Sequence, residues 1–271
     1  MTMHADIQTT NSISDPVAID PLFGAIGDDG WFPSPAHVIR RAALLKTVGA
    51  WQRGTLLEMG CGAGRLLADW QSLSFAGQAV EPDEQSRAMA ARCAATFAPD
   101  FDVVASPSVS EVDYIISTEV LEHVENPLQT VREWMVHLKT GGLFLATVPA
   151  FGAKWGASDE WAGHVQRFEP EAFARLLEDA GLCVISVDVY GGLLSDVLRI
   201  AGNEASRRKM AARETQPSRE NATFASGRER SIEKRMAPFL RSLPGRALMH
   251  TVIATQNWLP GGHGLIAVAR K

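Results

Sequence analysis

Residues 56 to 67 read LLEMGCGAGRLL, an apolar run that breaks into glycines at positions 60, 62 and 64 and then resumes as a helix-forming segment. Strand, glycine turn and helix in that order suit a nucleotide-like ligand. Glycine adopts backbone angles closed to other residues and lets a ligand approach the main chain. The dinucleotide form of the turn needs a small third residue in G-x-G-x-x-G/A, so that the helix packs close to the strand. In the register of Gly60 and Gly62 that position is Arg65, and its bulk argues against NAD or FAD. The spacing is instead acid-x-G-x-G-x-G, made by Glu58, Gly60, Gly62 and Gly64. A second carboxylate, Glu81, closes the next apolar run 21 residues beyond Gly60. At the end of a neighbouring strand it is placed to accept hydrogen bonds from both hydroxyls of a ribose.

Outward from this turn the chain alternates short apolar runs with helical patterns. Strands are predicted at TLLEM (55–59), GQAVE (77–81), DVVA (102–105), VDYIIS (112–117), LFLATV (143–148), LCVISVDVY (182–190) and HGLIAVARK (263–271). Helices are predicted from Pro35 to before Gly54 and over 64–73, 83–97 and 170–181. A further helix opens at Asn126 and Pro127 and closes before Gly141, with Leu128, Val131, Trp134, Met135 and Leu138 on its buried face. Such alternation predicts parallel strands joined by crossover helices, a Rossmann-like doubly wound α/β sheet of seven strands. The expected division is a flexible leader and cleft cover (1–34), a core (35–190), a helical insert or lid (191–260) and a closing strand (261–271).

With 271 residues, 46% hydrophobic, the chain fits one enlarged domain. Its net charge of −5 gives no global positive field toward nucleic acid or anionic lipid. Only the stretch 203–236 is locally basic, with nine Arg or Lys against five Glu. Cys61, Cys93 and Cys183 have no metal-ligand or disulfide-framework spacing, which points to free thiols and a cytoplasmic location. The first twenty residues lack the basic start and apolar core of a signal peptide. No apolar stretch approaches the roughly 18 to 20 residues of a membrane span.

With GHVQRF (163–168) and the following helix resembling a subgroup of bacterial small-molecule enzymes, similar to the ubiquinone-biosynthesis O-methyltransferases, four segments taken together resemble the class I S-adenosylmethionine (SAM)-dependent methyltransferases. They are LLEMGCGAGRLL, AVEPDEQS (79–86), VDYIISTEVLEHVENP (112–127) and LKTGGLFLATVP (138–149). The resemblance covers about residues 35 to 190, and 262–271 corresponds to the antiparallel last strand of that fold. It implies that Gly60, Cys61, Gly62 and Gly64 line the methionyl and ribose part of SAM. Glu58 is then expected to support the loop or the ligand's amino group, and Glu81 with Pro82 to hold the ribose. Ser117, Thr118 and Glu119 are expected along the cofactor. The third motif departs from the family pattern: ASPSVS (105–110) lacks the usual acid, leaving Ala105 and Ser106 as guesses for the adenine.

SAM is already activated, so aligning a nucleophile behind its methyl supplies much of the catalysis, and a base helps a protonated nucleophile. His123 and His164 are the candidate bases, each with a structural alternative. Trp31, Phe32, Trp161 and Arg167 are expected at the acceptor pocket, although core packing claims most tryptophans. Glu119, Glu122 and His123, with His164 as a fourth ligand, look like the magnesium cluster of ubiquinone-biosynthesis and small-RNA 2′-O-methyltransferases, the alternative to a metal-free site. The expected function is O-methylation of a small or lipid-like metabolite, leaving S-adenosylhomocysteine. The alternatives are N- or C-methylation, RNA 2′-O-methylation, which the acidic balance disfavours, and a non-catalytic SAM-binding scaffold. The expected partner is a small-molecule acceptor, and a homodimer is compatible with the sequence.

Overall fold

A computed structural model describes residues 18–26, 31–211, 231–256 and 258–271. In chain order its elements begin with a hairpin, β1 (Ala18–Asp20) and β2 (Gly24–Ile26), and helix α1 (Pro35–Val48). There follow β3 (Thr55–Met59), α2 (Leu67–Ser72), β4 (Ala76–Val80), α3 (Glu84–Phe97), β5 (Phe101–Val104), β6 (Val112–Thr118) and α4 (Pro127–Met135). The second half contains β7 (Leu138–Pro149), α5 (Ala157–Ala162), α6 (Pro170–Asp179), β8 (Cys183–Gly191), α7 (Gly192–Ala211), α8 (Ser231–Arg241), α9 (Leu243–Thr255) and β9 (Gly262–Arg270).

Strands β3 to β9 form one sheet in the order β5-β4-β3-β6-β7-β9-β8. All neighbours pair in parallel except β9, which runs antiparallel between β7 and β8. This is the seven-stranded doubly wound sheet expected from the sequence. Alternate residues feed opposite faces, as the period of two requires. Leu56, Ile116 and Leu145 enter the core under α1, α2 and α9, whereas Leu57, Ile115 and Phe144 enter the core under α4 and α6. Strand order reverses between β3 and β6, and the crevice at that switch point is where such sheets bind ligands.

Three expectations need correction. Helix α4 keeps its Asn126 cap, whose side chain accepts from the Gln129 N–H, but it stops at Met135. Leu138 belongs to β7, and Gly141 lies within that strand with φ +83° instead of ending a helix. The described part of the leader has regular structure. Residues 18–26 form the hairpin, held by Arg41, which donates to the Pro21 and Leu22 carbonyls and pairs twice with buried Asp69 at 2.7 and 2.6 Å. Residues 1–17 and 27–30 of the leader, and 212–230 of the basic insert, lie outside the described residues.

Candidate active site

The glycine turn carries β3 into α2, and each of its glycines answers to a different neighbour. Gly60, at φ +78°, would push a Cβ into Val120. Gly64, at φ +73°, would place one 2.9 Å from the Ala90 backbone, so its role is the close approach of α3. Only Gly62, at φ +55°, faces open space. Its N–H donates to Glu81 Oε2 at 2.9 Å, while Glu81 Oε1 accepts from the Asp83 N–H, so this carboxylate shapes the turn. Burial raises the Glu81 carboxyl despite those two bonds.

A cavity of about 530 Å³ opens beside the turn. Its near wall includes Glu58, Gly60, Cys61, Ala63, Arg65 and Leu66, continued by Trp31 and by Arg40 of α1. Glu58 is buried, and its Oε2 accepts from Trp70 Nε1–H at 3.1 Å. Desolvation dominates and pushes its carboxyl up to about 8. Burial likewise pushes the Cys61 thiol up, which makes it a wall residue rather than a nucleophile. Arg65, which replaces the third dinucleotide glycine, lies with its guanidinium carbon 4.9 Å from the Trp31 ring centre.

At the end of β6, Glu119 has φ +56°, a left-handed geometry that costs a non-glycine residue about 1–3 kcal/mol and concentrates at functional sites. Its carboxylate is held on several sides. Arg40 Nη1 lies 3.2 Å from Oε2, and Thr147 and Tyr190 donate hydroxyls to Oε1 at 3.1 and 3.3 Å. Burial keeps the Tyr190 hydroxyl protonated by pushing it far up. Past Glu119, a 3₁₀ turn (Leu121–His123) buries Glu122 completely, and neither carboxylate oxygen has a hydrogen-bond partner among the described residues. Desolvation and then Glu119 raise its carboxyl well above the usual range. The ligand atoms of Glu122, His123 and His164 lie within 4.8 Å of one another. Burial, then His164, lowers His123 to about 4.

Asp159 organises the far wall. Its Oδ1 meets His164 Nδ1 at 2.9 Å and Arg167 Nε at 2.8 Å, while Oδ2 accepts from the Gly156 N–H. The partners lower its carboxyl although burial opposes them. Helix α5, with Trp161, is tied to α7 through Ser158 and Asn203. Facing it, His263 Nδ1 lies 3.0 Å from Ser195 Oγ, which itself donates to the Gly192 carbonyl at 2.8 Å. Ser195 therefore accepts from Nδ1–H, leaving Nε2 as the unprotonated nitrogen. Burial lowers His263 to about 4, so the ring is neutral at pH 7.

The cavity thus brings together Glu58, Gly60, Cys61, Thr118, Glu119, His123, His164, Trp31, Trp161 and Arg167 from the sequence-predicted set. Gly62, Gly64, Glu81, Pro82 and Ser117 are not among its lining residues; Pro82 is exposed and Ser117 is buried within β6. Ala105 and Ser106 are exposed and off the cavity. Phe32 corrects the pocket expectation. It is core, 5.1 Å from the Phe23 ring and beneath Arg241. Glu119 stands apart from the three-residue cluster because its oxygens are engaged elsewhere.

Sequence reasoning missed Arg40, Tyr190, Ser195, Arg199 and His263, all cavity-lining. A signal existed for two of them. Tyr190 ends a parallel-side strand, and His263 begins the antiparallel one, so topology carries both to the same sheet edge.

Comparison with known proteins agrees with this geometry. The sequence pattern of the methyltransferase domain family matches residues 33–187. The chain belongs to that family. Its cofactor is accordingly S-adenosylmethionine. Ubiquinone biosynthesis O-methyltransferase from Caulobacter vibrioides is 31% identical over 163 residues, 48% of this chain and 64% of that protein. The match thus spans less than two thirds of that relative. Among solved structures, the [4+2]-cyclase SpnF aligns over 93% of this chain and 87% of its own, with a TM-score of 0.57 and 18% identity. Phosphoethanolamine N-methyltransferase 2 of Haemonchus contortus, in complex with SAM, aligns over 90% of this chain and 54% of its own, with a TM-score of 0.55 and 16% identity. At such identities the likeness establishes the fold alone, and a cyclase among the neighbours makes the point that fold does not fix chemistry.

Proposed function

We propose that this methyltransferase-family protein transfers the methyl of SAM to a hydroxyl or phenol oxygen of a small or lipid-like metabolite. SAM supplies a methyl carbon already activated on a sulfonium. The observation that carries the reading is one continuous cavity running from the glycine turn to the α5–α7 wall, so donor and acceptor share a single chamber. The near wall fits the donor. Glu58 offers a buried carboxyl for its amino group, and Arg40, whose buried Nε has no hydrogen-bond partner among the described residues, suits its carboxylate. On this reading the ribose would meet Glu81, which already accepts from the Gly62 N–H, and the open face of Gly62. On the acceptor side, Trp31 and Trp161 provide flat apolar walls that exclude water, and His123, His164 and His263 are the groups able to accept a proton. Oxygen as the acceptor atom is supported by the Caulobacter relative's O-methyltransferase name. A screen of phenols, quinols, alcohols, amines and lipids, read out as S-adenosylhomocysteine formed, tests the proposal. Turnover confined to amines or carbon acids would defeat O-methylation.

One observation favours a metal-assisted version of the same reaction. Glu122 is buried, neither of its oxygens has a hydrogen-bond partner among the described residues, and Oε1 lies 3.9 Å from His164 Nε2; Asp159 fixes His164 by its other nitrogen, as supporting carboxylates do around metal-bound imidazoles. The donor set fits a divalent cation, held by Glu122, His123 and His164, that orients acceptor hydroxyls. Activity lost in EDTA and restored by magnesium supports this version, and indifference to chelator removes it. As for location, no helix among the described residues is long and apolar enough to cross a membrane.

A further inference from the structure

Arg40, Arg167 and Arg199 all line the cavity, and their ion pairs are not equivalent. Arg40 meets Glu119 at 3.2 Å, and Arg167 meets Asp159 at 2.8 Å. Arg199 of α7 comes only within 3.7 Å of Asp196, beyond hydrogen-bond distance. That carboxylate is already taken: Lys154 Nζ donates to both of its oxygens at 2.9 and 2.7 Å, and the Gly262 N–H donates to Oδ2 at 3.1 Å. Lys154 and Arg199 therefore share one negative charge, a local surplus of one positive charge. Arg199 donates through Nη1 to the Lys154 carbonyl at 3.2 Å, but its Nε is buried with no hydrogen-bond partner among the described residues.

A buried guanidinium N–H left unsatisfied is costly unless a ligand oxygen completes it, and here it is the Nε of a half-buried arginine. Arginine's fork matches carboxylate and phosphate groups, and the α7 and α8 residues that line the cavity with it are Leu198, Ala201, Gly202, Ala205 and Met236 together with Ser195 and Ser206. Among the described residues, the other carboxyls at the cavity do not cancel the surplus. Glu119 and Asp159 are matched by Arg40 and Arg167, and burial favours the neutral form of Glu122.

We propose that Arg199 is an anion subsite for the methyl acceptor, so that the acceptor carries a carboxylate or similarly acidic group beside an apolar body. The inference rests on the methyl-transfer reading and narrows its substrate class. Carboxylate could also come from the donor's own methionyl part, so the test separates the two sources.

The experiment is calorimetric titration of the full chain, first with S-adenosylhomocysteine and then, once saturated, with matched probes. These are 3,4-dihydroxybenzoate against 3,4-dihydroxybenzamide, 4-hydroxycinnamate against its amide, and dodecanoate against dodecanol. In at least one pair the acid is expected to bind about tenfold tighter than its neutral partner. Arg199→Gln is expected to shrink that preference to about twofold or less, and Arg199→Lys to keep part of it, because the charge stays while the fork is lost. Wild-type affinities equal for acid and neutral partner in every pair overturn the proposal, as does an acid preference that survives Arg199→Gln. Weakened S-adenosylhomocysteine binding in Arg199→Gln, with acid preference unchanged, assigns the subsite to the donor and also overturns it. Failure of the wild-type protein to bind S-adenosylhomocysteine defeats instead the methyl-transfer reading on which it rests.

Discussion

The two ends of the cavity are built in opposite ways. At the end proposed for the donor, Glu58, Gly60, Cys61, Ala63, Arg65 and Leu66 come from one short stretch of chain. At the end proposed for the acceptor, Asp159, His164, Arg167, Tyr190, Ser195, Arg199 and His263 come from α5, the following loop, β8, α7 and β9. A contiguous turn keeps its geometry partly through local backbone bonds, such as the Gly64 N–H to the Cys61 carbonyl at 2.9 Å, and partly through the adjacent strand, whose Val80 carbonyl accepts from the Gly60 and Cys61 N–H groups. The acceptor wall has no such template and depends on a few buried carboxylates that pin separate segments together. Chemistry read from a local pattern is therefore robust, whereas chemistry that chooses an acceptor is carried by long-range pairs that are free to vary.

The largest expected effect follows from this difference. Asp159 holds His164, Arg167 and the Gly156 N–H at once, so Asp159→Ala strands Arg167 in a buried site. Removing one partner of a buried pair costs about 3–5 kcal/mol. Chemical denaturation is expected to register that loss, while S-adenosylhomocysteine affinity, measured on protein still folded, stays within about twofold because the glycine turn is untouched. A donor affinity that collapses together with stability would erase the distinction between the two ends.

Within the donor end, glycines that look alike in sequence are expected to separate. Gly64→Ala brings a Cβ against the Ala90 backbone and adds left-handed strain of about 1–3 kcal/mol, so its main effect is on the melting temperature. Gly62→Ala incurs similar strain but meets no protein atom, so it should lose donor affinity out of proportion to stability. Melting curves set beside calorimetric titrations decide this, and equal behaviour of the two variants would show that the open face of Gly62 is not where the ligand lies.

The same contrast explains what could be seen in advance. Strand positions and the two-sided sheet were legible because apolar periodicity is local, and the antiparallel last strand came with the family resemblance. The end of α4 was not, since Gly141 looks like a helix stop but serves a strand whose register is set by pairing, including its N–H to the Lys271 carbonyl. The hairpin at 18–26 was hidden because Arg41 and Arg246 hold it from distant parts of the chain. Phe32 and Trp31 are adjacent and equally aromatic, yet one faces Phe23 in the core and the other lines the cavity. Nothing in a single sequence separates them. His123 and His164 stood in recognisable motifs, whereas Arg199 and His263 became visible only when α7 and β9 were laid over the sheet edge.

The smallest expected effect is a proton count at Glu58. With its carboxyl pushed up to about 8, this residue is mostly protonated at pH 7 in the free protein. A donor whose ammonium group lies against it favours the carboxylate and must expel that proton. Binding of S-adenosylhomocysteine at pH 7 should therefore release up to about one proton, measured as a dependence of the calorimetric enthalpy on the ionisation enthalpy of the buffer. The sign is fixed by the direction of the shift. Since the carboxylate is the binding form and its free-protein pKa is about 8, affinity rises with pH from 6 toward 8 and levels above it. Glu58→Gln removes both the released proton and the slope, whereas Asp159→Ala at the other end leaves them in place. Proton release that persists in Glu58→Gln would move the donor's amino group away from Glu58.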